Sequence, residues 1–469
     1  MKTKILKIRE TIKHLLPTAV FSASIGVLLE NSESFSFLIK LSVLVVANLA
    51  SPDSAIDVDL QASKTAVITI DDARYVNVYG ERSPLDRCQL TKDLSNLLLK
   101  RPQTVAIDLD LSPLARESSD ETICQNNLDQ LLDKESNRLI LLAPFPTSNE
   151  KFRETKLRWM QNRCKAGLDF ADGTLIQSFG SVTGMRTAEE DRLTFAGLMH
   201  EKSKSSESET RSPICTDIAN AATQWLSKDG TTHDPAEGHM EMKSINFSEV
   251  ARSLALMPFD SKAYQNISSL DGVRVVFGGS WGQADTFLTP LGNLPGAAIH
   301  GAALISLDHP VSKLSHLWGF CLDIVLGLLF GAIVKKMWAW YVAAVKHDYH
   351  KNHHHRKKQC SAASTAVLTS LVFLYLIAAG TIVWIASYLY KQHNIEIVAL
   401  LMALLMLVDG FINGPREELE KSHALSDLRH QTLPKFFERL DRCFFFLKSA
   451  VLFIACAGAA CLLITHLLH

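Results

Sequence analysis

The apolar residues of this 469-residue chain are concentrated in its last third. Residues 316–469 contain several apolar runs of about 20 residues, the length at which a helix crosses the hydrocarbon core of a bilayer. Residues 51–310 have the mixed composition of a soluble domain, and roughly 260 residues are enough for a core of their own. This division excludes a wholly soluble chain, and it also excludes a transporter built only of spans and short loops.

Four runs near the C-terminus predict membrane-spanning helices. They are 316–334, with Trp338, Trp340 and Tyr341 as an aromatic belt, and 362–390, 395–413 and 444–468. The N-terminal part has two shorter apolar runs, 15–29 and 35–50, and the sequence leaves open which of them spans. We prefer a retained anchor to a cleaved signal peptide, because the apolar region is too long and is broken by Lys40.

Lysine and arginine are unevenly distributed among the short loops, and this bias sets orientation in a membrane. Residues 1–14, 343–361 and 414–443 are rich in both, whereas the turn 391–394 has only Lys391. The three basic segments lie on one side if a single N-terminal run crosses the bilayer. The predicted parts are a cytoplasmic tail and anchor (1–50), a domain outside the cytoplasm (51–310) and a four-helix transmembrane region (316–469) with cytoplasmic loops 343–361 and 414–443.

Four cysteines lie in the predicted exported domain, at Cys88, Cys124, Cys164 and Cys215. An even number in an oxidising compartment is typical of disulfides, and the alternative is four buried thiols. Four cysteines allow three pairings, between which the sequence does not choose. No CxxC spacing typical of a metal site occurs in the sequence, so no metal or other cofactor is predicted.

Short β-branched runs alternate with amphipathic helices in residues 51–310. Strands are predicted at 66–70, 104–109, 138–143 and 273–277, and helices at 89–100, 120–134 and 297–307. Strands that are apolar throughout and separated by helices are typical of a mainly parallel sheet covered by helices. The predicted fold is therefore an α/β domain together with an α-helical transmembrane bundle.

Segments 66–87, 101–113 and 270–307 of this domain resemble the second type of CHASE domain, an extracellular sensor associated with cyclases and histidine kinases. Residues 66–87 (AVITIDDARYVNVYGERSPLDR) contain an apolar strand, an Asp, a Gly and then Pro and Arg, with Ser83-Pro84 where the family has Trp-Pro. Residues 270–307 contain a strand, Gly, Asp, Thr-Pro-Leu-Gly, Pro-Gly and a His on a helix. The resemblance covers about 36–310 and implies a multi-pass sensor in a bacterial inner membrane, with its large domain periplasmic or extracellular. Family members often continue into a cyclase or kinase and this sequence does not, so their signalling output is not carried over.

Eight residues are candidate ligand-binding residues. Asp71, Asp72, Asp108, Asp110, Ser280 and Asp285 fall at or just after strand ends, and the resemblance adds Arg87 and His300. Ligands of open α/β sheets bind beyond the carboxyl ends of the strands, where converging carboxylates can hold a cation or a cationic ligand. The alternative is that these residues cap helices and turns.

The first functional hypothesis is a non-enzymatic membrane sensor or adaptor. The sequence contains neither a Walker loop nor an HExxH motif, so it offers no machinery for phosphoryl transfer or metal-dependent hydrolysis. Its domain would bind a ligand or protein and signal through its helices to a separate membrane or cytoplasmic effector. The alternative is a structural subunit that anchors a larger cell-envelope assembly. Membrane lipids are expected partners and a homo-oligomer stays open, whereas the balance of 48 basic and 49 acidic residues argues against nucleic acid.

Asp323 lies inside the predicted span 316–334. A carboxylate at mid-span costs about 2.5–3.5 kcal/mol on insertion scales and normally faces protein rather than lipid. Gly327 and Gly331 follow at four and eight residues and share a stripe of the helix with Asp323. We predict that this stripe contacts another helix. The alternative is that the span sits higher and leaves Asp323 near the outer headgroups.

Overall fold

The structure is a computed structural model of the chain. It describes residue 12 and residues 15–26, 36–50, 63–113, 119–144, 149–173, 175–178, 181–186, 194–204, 212–216, 242–282, 285–351 and 362–405. The chain divides into two compact units. We call Ala47–Ser312 with Tyr390–Asn394 the α/β unit, and Met1–Val46, Lys313–Leu389 and Ile395–His469 the apolar-helix unit.

The strands and helices of the described residues follow one another along most of the chain. The strands are β1 (Thr65–Ile70), β2 (Thr104–Asp108), β3 (Leu139–Leu142), β4 (Asp169–Ala171), β5 (Ile176–Ser178), β6 (Ser181–Arg186), β7 (Met242–Ser244), β8 (Leu254–Pro258), β9 (Arg274–Gly279), β10 (Thr286–Thr289), β11 (Gly292–Pro295), β12 (Ser312–Lys313) and β13 (Ile395–Glu396). The helices are Leu15–Gly26, Ser36–Ala50, Asp72–Asn77, Arg87–Leu99, Ser119–Lys134, Glu150–Lys165, Phe195–Lys204, Pro213–Thr216, Phe247–Ser253, Lys262–Gln265, Gly296–Asp308, His316–Lys351 and Ala362–His393, with a 3-10 turn at Ser136–Arg138.

A six-stranded parallel sheet forms the centre of the α/β unit, in the order β4-β3-β2-β9-β1-β8. β9 comes late in the chain but lies between β1 and β2, so that Ile68 and Ile107 both pair with Phe277. Every residue of β1, β3 and β9 is buried, which explains why these strands are apolar on both faces. The predicted α/β fold with a mainly parallel sheet is confirmed.

Helices cover both faces of this sheet. On one face, Leu90 and Leu94 of helix Arg87–Leu99 and Leu128 of helix Ser119–Lys134 belong to the same buried cluster as Ile68 and Ile107. On the other face, helix Gly296–Asp308 lies so close to β1 that a methyl group at Gly301 would be 2.6 Å from Val67 Cγ2. The small residues of this helix are therefore required by its close approach to the sheet.

A second, smaller sheet completes the α/β unit. It has five strands, in the order β11-β10-β6-β5 with β7 beside β6. β10 and β6 pair in parallel, and the other neighbours are antiparallel. Most of this sheet comes from residues 176–186 and 242–244, for which the sequence predicts no element.

The four cysteines of the α/β unit form two disulfides. Cys88–Cys124 joins helix Arg87–Leu99 to helix Ser119–Lys134, and Cys164–Cys215 joins the end of helix Glu150–Lys165 to helix Pro213–Thr216. Of the alternatives that the sequence left open, the structure has the paired cysteines, in one of the three connectivities.

Two helices of the described residues are long and apolar enough, by length and composition, to cross a bilayer. They are the segments Leu317–Met337 and Val372–His393, which overlap the predicted spans 316–334 and 362–390. The shorter apolar helices Leu15–Gly26 and Leu41–Ala50 overlap the two N-terminal runs. The predicted span 444–468 and residues 406–413 of the predicted span 395–413 lie outside the described residues.

Candidate functional site

The strand order brings most of the predicted site residues to one edge of the sheet. β2, β9 and β1 are neighbours and parallel, so that their carboxyl ends meet at one edge. Asp108 is the last residue of β2 and Asp110 follows it, Ser280 follows β9, and Asp71 and Asp72 follow β1. This is the edge at which open α/β sheets bind ligands. The contacts of each side chain then separate structural residues from those that remain candidates.

Asp71 and Asp72 make contacts of the kind expected of caps. Asp71 is the N-cap of helix Asp72–Asn77, and its Oδ1 accepts from the Arg74 N–H at 2.8 Å. Asp72 Oδ1 accepts from the Gly282 N–H, also at 2.8 Å, and so ties the segment after β9 to this helix. Both carboxylates therefore have a structural use.

Asp110 is paired with a cation. Lys156 Nζ lies 2.8 Å from Asp110 Oδ2, and the Ser112 N–H donates to Asp110 Oδ1 at 3.0 Å. Burial raises the pKa of Asp110, but the charge of Lys156, together with Ser112, outweighs this effect and holds the pKa below its usual range. Lys156 was missed by the sequence analysis, because nothing in the local pattern connects it to a residue 46 positions earlier.

Arg87 and Ser280 bind main-chain carbonyl groups. Arg87 is buried, and its Nη2 donates to the carbonyl oxygens of Asp110 at 3.0 Å and Ser112 at 3.1 Å. The Ser280 N–H donates to the Ile70 carbonyl at 2.8 Å, and its hydroxyl donates to the same oxygen at 3.3 Å. Arg87 thus holds the segment after β2 to helix Arg87–Leu99, and Ser280 joins the ends of the neighbouring strands β9 and β1.

Ser280 is also the centre of a G-x-S-x-G sequence, Gly278–Gly282. In hydrolases this spacing forms a turn from strand to helix that exposes a nucleophilic serine to a histidine. Here the next element after β9 is strand β10, and the Ser280 hydroxyl is directed at the Ile70 carbonyl. The strand–turn–helix context of a nucleophile is therefore absent from the described residues around Ser280.

Asp108, Asp285 and His300 form a different group, which we call the carboxyl-edge cluster. His300 Nε2 lies 3.8 Å from Asp108 Oδ1, beyond hydrogen-bond distance, and the Asp108 side chain is 11% exposed. Asp285 is exposed overall, but its carboxyl group contacts the backbone of Gly296. A methyl group added to Gly296 would be 2.7 Å from Asp285 Oδ1. The cluster therefore surrounds the first turns of helix Gly296–Asp308.

The pKa values of both carboxyls in the cluster are raised. Burial, and then the nearby charge of Asp108, raise the pKa of Asp285 to about 6, although the Gly296 N–H partly opposes both effects. Burial also raises the pKa of Asp108, and the charge of His300 partly opposes it. The ionised forms of both carboxyls are thus disfavoured at this place.

His300 is 5% exposed and stacks on Phe195, with ring centroids 5.0 Å apart. In the part of the chain that the structure describes, its ring nitrogens have no hydrogen-bond partner, and Asp108 is their nearest ion-pair partner. A cavity of about 20 Å³ adjoins His300 and is lined also by Asp172, Met185 and Ile299. Such a cavity has room for about one water molecule.

A second polar group at the same edge was missed by the sequence analysis. Arg74 pairs with Asp93 and with Asp260, and the Tyr79 hydroxyl donates to Asp93 Oδ2 at 2.6 Å. Burial, and then the hydrogen bond to Asp93, raise the pKa of Tyr79. Asp93 falls on the apolar stripe of its helix, next to Leu90 and Leu94, and this position is the signal from which its burial could have been predicted.

The three predicted intramembrane residues lie on one side of helix His316–Lys351. Gly327 and Gly331 are buried and Asp323 is half-buried, whereas Val325 and Leu329 are exposed. A methyl group at Gly26 would be 3.4 Å from Asp323 Oδ2, which places the carboxylate beside helix Leu15–Gly26. This position agrees with the predicted helix contact, whose role stays a prediction.

Comparison of the chain with protein-family models, with curated proteins and with solved structures finds no match.

Proposed function

We propose that this chain is a non-enzymatic membrane sensor or adaptor. Its α/β unit binds a ligand or protein at the carboxyl-edge cluster, outside the cytoplasm of a bacterial cell. Its helices, which cross the inner membrane several times with the N-terminus in the cytoplasm, pass the bound state to a separate effector. The sequence resemblance of 66–87 and 270–307 to CHASE sensors of the second type supports this assignment.

The carboxyl-edge cluster is the observation that carries the proposal. Asp71, Asp72 and Asp110 are engaged by main-chain N–H groups or by Lys156, whereas Asp108 has His300 as its ion-pair partner, at 3.8 Å. Burial of ionised carboxyls, which the raised pKa values reflect, is energetically unfavourable in a folded domain. Burial of an imidazole without a hydrogen-bond partner is unfavourable too. Such groups are typical of binding sites, where a ligand compensates them.

The disulfides support the location of the α/β unit. Cys88–Cys124 and Cys164–Cys215 both lie in this unit. Disulfides form and persist outside the cytoplasm and are rare inside it. A location outside the cytoplasm agrees with the orientation that the lysine and arginine residues of the short loops predict, independently of the cysteines.

The end of helix Ala362–His393 offers a route from the α/β unit toward the membrane segments. Residues Tyr390–Asn394 belong to the α/β unit, and Tyr390 is buried there. Its hydroxyl donates to the Ile245 carbonyl at 2.9 Å and accepts from the Phe247 N–H at 3.2 Å. A change in the α/β unit would therefore act directly on the last residues of a helix that continues into an apolar segment.

The test compares Asp108→Asn with Asp71→Asn in the full chain, purified from membranes in mild detergent. Asparagine caps helices as well as aspartate does, so that Asp71→Asn removes a charge from the same edge without loss of the cap. We expect a regulatory protein to co-purify with the wild type and with Asp71→Asn, and its amount to change with Asp108→Asn. A stoichiometric multi-subunit complex that neither substitution alters would overturn the sensor proposal and favour a structural subunit.

A further inference from the structure

Asp108 and Asp285 differ from other carboxylates of the α/β unit in their partners. Asp93, Asp110, Asp169 and Asp308 lie within ion-pair distance of an arginine or lysine, namely Arg74, Lys156, Lys202 and Arg274. Among the described residues, the only ion-pair partner of Asp108 is the imidazole of His300, and Asp285 has none. These carboxyls are therefore not neutralised by a permanent cation of the described chain.

The buried imidazole of His300 is a second and independent indication that something is bound at the cluster. It is directed at Asp108, and its ring nitrogens have no hydrogen-bond partner among the described residues. A buried polar group without a partner usually has a functional reason. The group is therefore more than a collection of acidic residues.

The available space restricts the ligand. The cavity beside His300 has about 20 Å³, whereas sites for organic ligands have about 300–1,000 Å³. On its other side the cluster reaches solvent, because Asp285 is exposed. A ligand that needs almost no room and arrives from water satisfies both conditions.

We propose that the ligand of the carboxyl-edge cluster is the proton, and that its uptake by Asp108 and Asp285 tightens the N-terminus of helix Gly296–Asp308. This inference rests on the proposed sensor function and names the signal. When both carboxyls are ionised they repel each other beside the first turn of the helix. Protonation of either carboxyl removes this repulsion.

The direction of the effect follows from the electrostatics. Burial and Asp108 raise the pKa of Asp285 to about 6, above its ordinary value of 3.8. The folded state therefore prefers the protonated carboxyl, and ionisation weakens the local structure as the pH rises through about 6. Protection of this region should increase as the pH falls through the same range.

Other charged groups lie on the elements around the cluster, and the Asp285→Asn variant separates their titration from that of Asp285. They are Asp72 on helix Asp72–Asn77, Asp110 with Lys156 after β2, Asp172 after β4, and His200 and Lys202 on helix Phe195–Lys204. Asp72 accepts from the Gly282 N–H, and His200 and Lys202 pair with Asp308 and Asp169. Asp172 lines the same cavity as His300.

The experiment measures hydrogen–deuterium exchange of the full chain in detergent micelles, corrected for intrinsic exchange, between about pH 4.5 and 7.5. The readout is a peptide that covers Gly296–Ile299. A pKa moved from 3.8 to about 6 corresponds to at most a ~100-fold rise in protection as the pH falls. Because Asp285 is an exposed residue and solvent screens its charge, we expect about a tenfold rise. Asp285→Asn should abolish the transition and Asp71→Asn should retain it.

The same pH dependence in wild type, Asp285→Asn and Asp108→Asn would overturn the proton proposal. If Asp108→Asn still changes the co-purified effector at constant pH, the sensor function stands and only the proton is wrong. If the transition at about pH 6 is present but the effector does not respond to Asp108→Asn, the sensor function is wrong and proton uptake stands. Near-ultraviolet circular dichroism of each variant excludes global unfolding as the cause.

Discussion

Replacement of Lys156 by Met should destabilise the α/β unit, because it removes the cation from a mostly buried ion pair. Lys156 Nζ lies 2.8 Å from Asp110 Oδ2, and the two side chains are 6% and 21% exposed. Methionine retains the apolar stem of the lysine, so that the packing of helix Glu150–Lys165 changes little. What remains is a half-buried carboxylate without its ammonium partner.

The magnitude follows from the surroundings of Asp110. Removal of one partner from a fully buried ion pair costs about 3–5 kcal/mol. The loss is smaller here because Asp110 is partly exposed, and because the Ser112 N–H and hydroxyl still donate to its Oδ1 at 3.0 and 2.5 Å. We expect a loss of about 2–3 kcal/mol, which lowers the melting temperature of a unit of this size by about 5–10 °C.

Thermal unfolding of the full chain in detergent, followed by near-ultraviolet circular dichroism, measures this loss, and its pH dependence tests the cause. Lys156 holds the pKa of Asp110 below its ordinary value of 3.8 despite the opposing effect of burial. A lowered pKa stabilises the folded state above the ordinary value, and this stabilisation is lost as the pH falls through the folded pKa. The difference between wild type and Lys156→Met should therefore be largest near neutral pH and shrink below about pH 4.

The double variant Asp110→Asn/Lys156→Met is the matched control, because it removes the pair without leaving a charge unpaired. It should recover much of the loss, since an ion pair replaced on both sides is often nearly neutral. Equal melting temperatures of the wild type and Lys156→Met at pH 7.5 would refute the reasoning.

Two further changes test the packing of the α/β unit in the same thermal assay. Gly301→Ala places a methyl group 2.6 Å from Val67 Cγ2 and should destabilise by about 1–3 kcal/mol, and an unchanged melting temperature would contradict the close approach of helix and sheet. Tyr390→Phe removes the hydroxyl that bonds Ile245 and Phe247 and should lower the free energy of unfolding by about 1–3 kcal/mol. Amide exchange at Phe247 should become faster. Unchanged exchange there would show that the hydroxyl does not hold this segment.

The elements of the central sheet could be predicted because their signal is local. The runs at 66–70, 104–109 and 273–277 are apolar on both faces, and each becomes a buried parallel strand. The order of these strands could not be predicted in the same way. β9 inserts between β1 and β2, although both precede it by more than 160 residues, and no local pattern records which distant strand will be the neighbour.

The candidate site could be predicted as an edge but not as a set of side chains. Strand ends locate Asp71, Asp108 and Asp110 together, because the carboxyl ends of parallel strands meet. Which of them is neutralised depends on long-range partners, such as Lys156 for Asp110, that the spacing of residues does not show. His300 became a candidate through the family resemblance, and the sequence alone does not show that it faces Asp108.

The contact between Asp323 and the N-terminal apolar helix gives a last prediction, for the apolar-helix unit. A methyl group at Gly26 would lie 2.6 Å from Leu405 Cδ1 and 3.4 Å from Asp323 Oδ2, so that position 26 has no room for a large side chain. Gly26→Leu should therefore loosen this packing. Gly319→Leu is the matched control and should be neutral, because no described residue lies within 4 Å of a carbon added at Gly319.

Substitutions of Asp323 itself distinguish a polar helix contact from simple packing. Asn preserves a hydrogen-bonding group in the low-dielectric interior, so Asp323→Asn should be tolerated. Asp323→Leu removes that group and adds volume beside Gly26, and should lower the thermal stability of the full chain in detergent by about 1–2 kcal/mol, the range found for interhelical hydrogen bonds in model peptides. Equal stability of the Asn and Leu variants would mean that Asp323 makes no such bond. Rapid labelling of a cysteine at position 323 by a membrane-impermeant reagent would place the residue in water near the headgroups, and the stripe it shares with Gly327 and Gly331 would then not be an intramembrane contact.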